Sequence, residues 1–363
     1  MKGKQTSMVL EEIGSFAARE LDIPNIQSDE ALLRVEMTGV CRTDASFYQG
    51  KTRPHLIPLI LGHEILGHIA EIGKEAARGY QVQEGDRVVV ESSIRCGRCP
   101  YCEQGNYQLC DNHRSYGTSM TLSTPPHLWG AYGEYLYIAP GSVLHPISES
   151  VPAEAAVLAC SVVADGIQWV RDMGQVQPGH TVLVQGAGQQ GLAAAVAARE
   201  CGAEQIIVTG MSRDERRLEL ARKLGASATI DVEKEDVQER LNELTDTALA
   251  DLVVDVSGSP QALAQAGSLV RKGGTIVVAS VVGETTSVPI STDQLVFKQI
   301  TVKYVYTSTA PAVRTAVQLI ESRKYPFEQM VTHRFPLQQA EQAIQTVAGQ
   351  NSEAYPIKVV LTQ

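Results

Sequence analysis

Four cysteines fall within fifteen residues, Cys96, Cys99, Cys102 and Cys110, in the segment CGRCPYCEQGNYQLC. The spacing is C-x2-C-x2-C-x7-C. Four thiolates this close in sequence can surround one tetrahedral zinc ion without help from the rest of the chain. Such a site dictates a compact lobe, here over about residues 95–111. It has no open position for a substrate, so it is read as a structural zinc, and the chemistry must lie elsewhere. The competing readings are a pair of disulfides and an iron–sulfur cluster. Disulfides are disfavoured because no secretory signal precedes the lobe and cytosolic thiols stay reduced. The cluster is disfavoured because its usual local spacings differ.

The bulk of the sequence narrows the class. A chain of 363 residues has room for two domains. Its formal net charge of −10 argues against nonspecific nucleic-acid binding. The stretch MKGKQTSMVLEEIG has no apolar signal-peptide core, and no apolar run reads as a membrane span. The expected compartment is the cytoplasm.

Texture then divides the chain. The first 150 or so residues hold short apolar runs broken by Gly, Pro and Asp, such as ALLRVEMTGV and DRVVVES, as an irregular, mostly β domain would. From residue 156 to 300 the runs TVLVQG, QIIVTG, DLVVDVSG and TIVVASVVG are continuous rather than alternating. They predict buried parallel strands separated by helices, hence a doubly wound α/β domain. The segment ITVKYVY and the final YPIKVVLTQ are further strands, the last returning to the first domain. The expected organisation is a catalytic domain over 1–155 and 301–363, with a dinucleotide-binding domain over 156–300.

Gly186, Gly188 and Gly191 form G-x-G-x-x-G after a predicted strand and before an Ala-rich helix. In that context the first glycine makes the tight turn, the second admits a pyrophosphate to the helix N-terminus, and the third lets helix and strand pack closely. A strand-to-helix turn with no ligand is the bland alternative. Where NAD-binding domains place a ribose-holding carboxylate, this chain has Gly210, followed by Met211, Ser212 and Arg213. Ser212 and Arg213 are expected to hold a 2′-phosphate, which favours NADP over NAD, with Asp214 as an alternative ribose partner.

Cys41, His63 and Cys160 are three good zinc ligands, and three protein ligands with a fourth position open define a catalytic zinc. Singly, His63 and Cys160 read as ordinary core residues; together with the lobe and the glycine motif they read as a site. At this point the chain resembles the zinc-dependent medium-chain alcohol dehydrogenase family over nearly its whole length. The resemblance rests on Cys41-x-Thr43-Asp44, the GHExxG run from Gly62 to Gly67, GDRV from Gly85, the four-cysteine lobe, Cys160 and the glycine motif.

The resemblance implies a GroES-like catalytic domain plus a Rossmann domain, and two zinc ions per chain. By it, Cys41, His63 and Cys160 hold the catalytic zinc, Asp44 orients His63, and Glu64 lies behind the metal. Thr43 takes the alcohol proton. Lys358 matches a position that contacts the cofactor pyrophosphate. The implied reaction is hydride transfer between a primary or secondary alcohol, including polyols, and NAD(P). The alternatives are a carbonyl or aldehyde reductase and a non-catalytic cofactor-binding relative. Small-molecule substrates and a homodimer or homotetramer are expected, with no nucleic-acid or membrane partner. Ser46 stands where many relatives carry a relay histidine; it can pass a proton but cannot store one near neutral pH. Tyr304 stands where many relatives have glycine. Trp129 and Tyr132 are expected to pack under the lobe rather than line a pocket.

Overall fold

The computed structural model describes residues 3–283, 285–350 and 355–363. The chain forms two compact units, Met1–Ser161 with Thr309–Gln363, and Val162–Ser308.

The first unit is built on a seven-stranded sheet. Six strands run in the order Leu144–Pro146, Arg87–Val90, Glu64–Ile72, Ala31–Val40, Lys358–Thr362 and Val331–Pro336, and Tyr135–Ile138 also pairs with Ala31–Val40. Leu32, Leu33, Val88, Leu136 and Ile138 fill one cluster, Val9, Leu10, Leu61 and Ile344 another, all with almost no exposed surface. The sheet sets the first candidate site by register. Gly39 pairs with Glu64 on one side, and Val40 pairs with Val359, next to Lys358, on the other. Three chain segments distant in sequence are thereby drawn to one point.

The second unit is a six-stranded parallel sheet, ordered Ala228–Asp231, Gln205–Gly210, Thr181–Gln185, Ala250–Asp255, Val270–Val278 and Thr301–Tyr304. In order of appearance this is 3-2-1-4-5-6, the doubly wound arrangement. Val182–Val184, Ile206–Val208 and Leu252–Val254 are buried throughout. Strands covered on both faces lack alternation for that reason. The last strand departs from expectation. Thr301–Tyr304 adds to the parallel sheet beside Val270–Val278, so the second unit extends past 300, to Ser308. A short edge strand with two exposed ends carries no continuous apolar run to mark its membership.

One helical stretch, Ala153–Met173, is apolar and long enough to cross a membrane by composition, but 83% of its apolar window is buried inside the structure. Its apolar side chains are spent on the core. It contains a π-helical turn over Ala159–Val163, which carries Cys160.

Candidate metal centres and nucleotide site

The four-cysteine lobe folds around its sulfurs. Cys99 caps a single helical turn, Pro100–Glu103, and Cys110 ends the turn Tyr107–Leu109. The four Sγ atoms lie within 4.8 Å of one another, and Cys96–Cys102 and Cys99–Cys110 are each 3.9 Å apart. Tetrahedral zinc with Zn–S of about 2.3 Å requires sulfurs about 3.8 Å apart, whereas a disulfide closes to about 2.05 Å. None of the seven cysteines is in a disulfide. The backbone N–H of Arg98, then Cys110 and Cys99, pull the Cys96 thiol down to about 6, while burial pushes the Cys102 thiol up to about 12. The lobe is anchored by a buried chain of polar groups. The Tyr107 hydroxyl donates to Glu91 at 2.5 Å, and His145 Nε2 bonds the other Glu91 oxygen at 2.7 Å.

The second cluster begins at a helix N-terminus. Cys41 caps helix Arg42–Tyr48, its sulfur accepting the Thr43 N–H at 3.3 Å, while Asp44 accepts the Cys41 N–H at 2.9 Å. This reciprocal cap fixes both side chains. Cys41 Sγ lies 3.2 Å from His63 Nε2, and Asp44 Oδ1 lies 3.4 Å from His63 Nδ1. The donor atoms of Cys41, Asp44 and His63 all fall within 4.8 Å of one another. One imidazole nitrogen therefore faces the thiol and the other a carboxylate, the arrangement expected of a metal-ligating histidine with an outer partner.

The electrostatics agree with that reading. Burial opposes charge on both groups, yet the Cys41 sulfur and Asp44 raise the His63 pKa well above its ordinary value. Burial likewise opposes the Asp44 charge, but His63 and the Cys41 N–H hold its carboxyl below the usual range.

Beside His63, Glu64 forms an ion pair with Lys358, and both side chains are buried. The family resemblance implies that Lys358 contacts the cofactor pyrophosphate. In the structure the ammonium has no exposed surface and is taken by Glu64. The pair presses against the backbone of Gly39, where any Cβ would collide with the Glu64 carboxylate and lie 2.8 Å from Lys358 Cε.

Cys160 is buried in its π-helical turn and lies outside the group formed by Cys41, Asp44 and His63. Thr43 is exposed at the first turn of helix Arg42–Tyr48, and Ser46 is half-buried one turn further along the same face. Trp129 is buried in the core, stacked near Tyr116 and edge-on to Tyr137. Tyr132 is also buried, its ring against Gly62, and burial, then Asp44, Cys41 and Glu64, push its pKa well above the ordinary value. The sequence offered no signal for this beyond an aromatic-rich stretch.

In the second unit, Gly186 turns the chain with φ at +113° and Gly188 caps helix Gln189–Glu200. Gly191 packs so closely on the Gly186 carbonyl that no side chain fits there. The helix N-terminus beyond Gly188 is left open, as an anion site requires. At the neighbouring strand, Ser212 donates its hydroxyl to Asp231 at 2.7 Å and its N–H to Glu233 at 2.8 Å. Asp231 sits directly across from Gly210 in the parallel register. Asp214 is buried, accepting the Met211 N–H and pairing with Arg217 at 2.7 Å.

Comparison with known proteins bears on both units. Residues 27–149 match the alcohol dehydrogenase GroES-like domain, and residues 191–322 match the zinc-binding dehydrogenase domain. A Mycobacterium tuberculosis protein named for alcohol dehydrogenase activity is 38% identical over 98% of each chain. Sorbitol dehydrogenase of Bacillus subtilis is 31% identical, over 93% of this chain and 92% of that one. The structure of a zinc-binding dehydrogenase from Sinorhizobium meliloti, bound to NADP, superposes with a TM-score of 0.87 at 26% identity, over 99% of this chain and 100% of that one. With the GroES-like and zinc-binding dehydrogenase domain matches and these relatives, the chain belongs to the zinc-dependent medium-chain alcohol dehydrogenase family, oxidoreductases acting on CH–OH donors.

Proposed function

We propose that this protein interconverts a primary or secondary alcohol, polyols included, and its carbonyl, with a nicotinamide cofactor as hydride partner. The observation that carries this is the convergence of Cys41 and His63, 3.2 Å apart, with Asp44 behind the imidazole. Cys41, His63 and Cys160 would hold the catalytic zinc, and the four-cysteine lobe a second, structural one. The catalytic metal would supply Lewis-acid polarisation of the substrate oxygen, and the nicotinamide would carry the hydride. The Thr43 hydroxyl takes the alcohol proton, and Ser46 passes it outward. Glu64 is held in place by Lys358.

The cofactor reading changes with the structure in view. Ser212 and Arg213 favoured NADP in the sequence. Ser212, however, is engaged by Asp231 and approached by Glu233. A 2′-phosphate carries up to about two negative charges and would meet these carboxylates, whereas a ribose diol needs a carboxylate acceptor. Asp231, across from Gly210, stands one strand over from the missing acid. We therefore favour NAD for this chain, although a relative binds NADP. Reduction of each cofactor across primary alcohols, secondary alcohols and polyols tests both points. The expected result is a kcat/KM at least about tenfold higher with NAD, a gap of about 1.4 kcal/mol. A preference for NADP would return the site to Arg213. Silence with every alcohol, and with the matching carbonyls in reverse, would overturn the activity itself.

The exposed apolar surface of the second unit supports a homo-oligomer. Phe297 and Val296 on helix Thr292–Lys298 and Tyr304 on the open edge strand are 69–81% exposed. Open edges and exposed apolar patches are ordinarily covered. Sedimentation should find a dimer or tetramer, and Phe297→Asp should shift it toward monomer. A parent that sediments as a monomer would refute this.

A further inference from the structure

The strand order of the second unit reverses between Thr181–Gln185 and Ala250–Asp255. A doubly wound sheet takes its dinucleotide outside the carboxyl ends of its strands, at that point. One of these two strands runs into the glycine turn. The other ends in an acid. Asp255 pairs with Gln185 on one side and Val278 on the other, and it has no exposed surface. A carboxylate buried in this way needs donors, and three reach it. Oδ1 takes the Ser257 hydroxyl at 2.6 Å and the Ser257 N–H at 3.3 Å, and Oδ2 takes the Ser280 hydroxyl.

Both serines lie at the carboxyl end of the sheet, half-buried. A Cβ on Gly186 would lie 3.0 Å from Ser257 Cα, so Ser257 packs on the first glycine of the nucleotide motif. Ser280 follows Val270–Val278, one strand further from that motif. The two chain ends run side by side, since a Cβ on Gly258 would lie 3.5 Å from the Val281 carbonyl oxygen. The Val281 side chain is 92% exposed.

The two hydroxyls differ in what they can still do. A hydroxyl has one proton to donate and two lone pairs to accept with. Both protons go to Asp255. The Ser257 oxygen also accepts the Ser259 N–H at 3.0 Å, ahead of helix Pro260–Leu269. Among the described residues nothing donates to the Ser280 oxygen. Ser280 is therefore an acceptor with no proton to offer, backed by a carboxylate and next to an exposed apolar side chain. That surface is unfavourable to a phosphate, which itself only accepts, and favourable to an N–H or O–H carried on an apolar ring. The adenosine half of a dinucleotide belongs to the side of Gln205–Gly210, and the nicotinamide half to the side of Ala250–Asp255 and Val270–Val278.

We infer that Ser280 binds the nicotinamide riboside half of the cofactor by accepting one of its N–H or O–H groups, and that Asp255 is the positioning residue that makes Ser280 an acceptor by holding its proton. This inference rests on the reading of the protein as a nicotinamide-dependent enzyme.

The test is calorimetric titration of the zinc-loaded enzyme with NADH, with its 3-acetylpyridine analogue and with ADP. One hydrogen bond is typically worth about threefold to tenfold in affinity. Ser280→Ala should weaken NADH by that factor and leave ADP and the melting temperature unchanged. The analogue lacks the carboxamide N–H. If Ser280→Ala weakens it as much as NADH, the donor is a ribose hydroxyl; if the analogue is already weak and Ser280→Ala adds nothing, the donor is the carboxamide. Asp255→Asn reverses the polarity. Ser257 brings two donors to Oδ1, so the amide N–H falls against Ser280 and turns the serine's own proton outward. Asp255→Asn should weaken NADH at least as much as Ser280→Ala, and the double variant should bind no worse than Asp255→Asn alone. Should Asp255→Asn fail to fold, Ser280→Ala decides.

Unchanged NADH affinity in Ser280→Ala would overturn the inference. So would equal weakening of NADH and ADP, which would mark a general disturbance of the sheet. If the parent binds neither NADH nor NADPH, the cofactor reading itself falls.

Discussion

Cys41→Ser should yield a protein that keeps one zinc, folds, and turns over at least about 10³-fold more slowly than the parent. A Lewis-acid metal contributes several kcal/mol at the reacting oxygen, and about 4 kcal/mol corresponds to that factor. The expected loss is local because the Cys41 sulfur has two attachments in the structure, His63 and the Thr43 N–H. Serine retains the second, since a hydroxyl caps a helix at least as well as a thiol. The helix therefore survives while the soft donor is lost. Metal analysis alongside steady-state kinetics checks the claim. A variant with two zincs and near-parental turnover would remove Cys41 from the chemistry.

Cys99→Ser should fail differently. Opening a four-thiolate site releases its zinc, and structural zinc carries folding energy that a small lobe cannot replace. The lobe contains one helical turn, one short 3-10 turn and little apolar core of its own. Its outer support is the Tyr107–Glu91–His145 chain. We expect the melting temperature to fall by about 10 °C, as a loss of about 3–5 kcal/mol would produce in a unit of this size. Proteolysis should begin near residues 95–111, and the Cys41 site should still bind its metal. Equal loss of both zincs and equal unfolding in Cys41→Ser and Cys99→Ser would erase the division between a structural and a catalytic centre.

The parts legible in sequence are those whose cause is local. Four sulfurs spaced over fifteen residues announce a tetrahedral site, and three glycines after an apolar run announce a turn beneath a helix. Continuous apolar strands announced a parallel sheet because burial on both faces abolishes alternation. What was illegible depends on register between distant segments. That pairing of its strand with Ala31–Val40 brings Lys358 to Glu64 is hidden in the sequence. That Asp231 lies across from Gly210 and takes the Ser212 hydroxyl is likewise invisible near Ser212 in the sequence. Thr301–Tyr304 was placed in the wrong unit because an exposed edge strand lacks the pattern of its neighbours. Tyr132 was read as packing, and its ring does pack, against Gly62.

The strand Lys358–Thr362 lies between Ala31–Val40 and Val331–Pro336, in the middle of the first unit's sheet. During synthesis on the ribosome, that place stays unfilled until the whole of the second unit has emerged. The second unit, continuous in sequence, has all its strands available first and can condense as a unit. The Glu64 carboxylate therefore waits, without its lysine, while the intervening chain is made. The Glu64 pocket is therefore the last part of the first unit to receive its partner, after the inserted unit has been made.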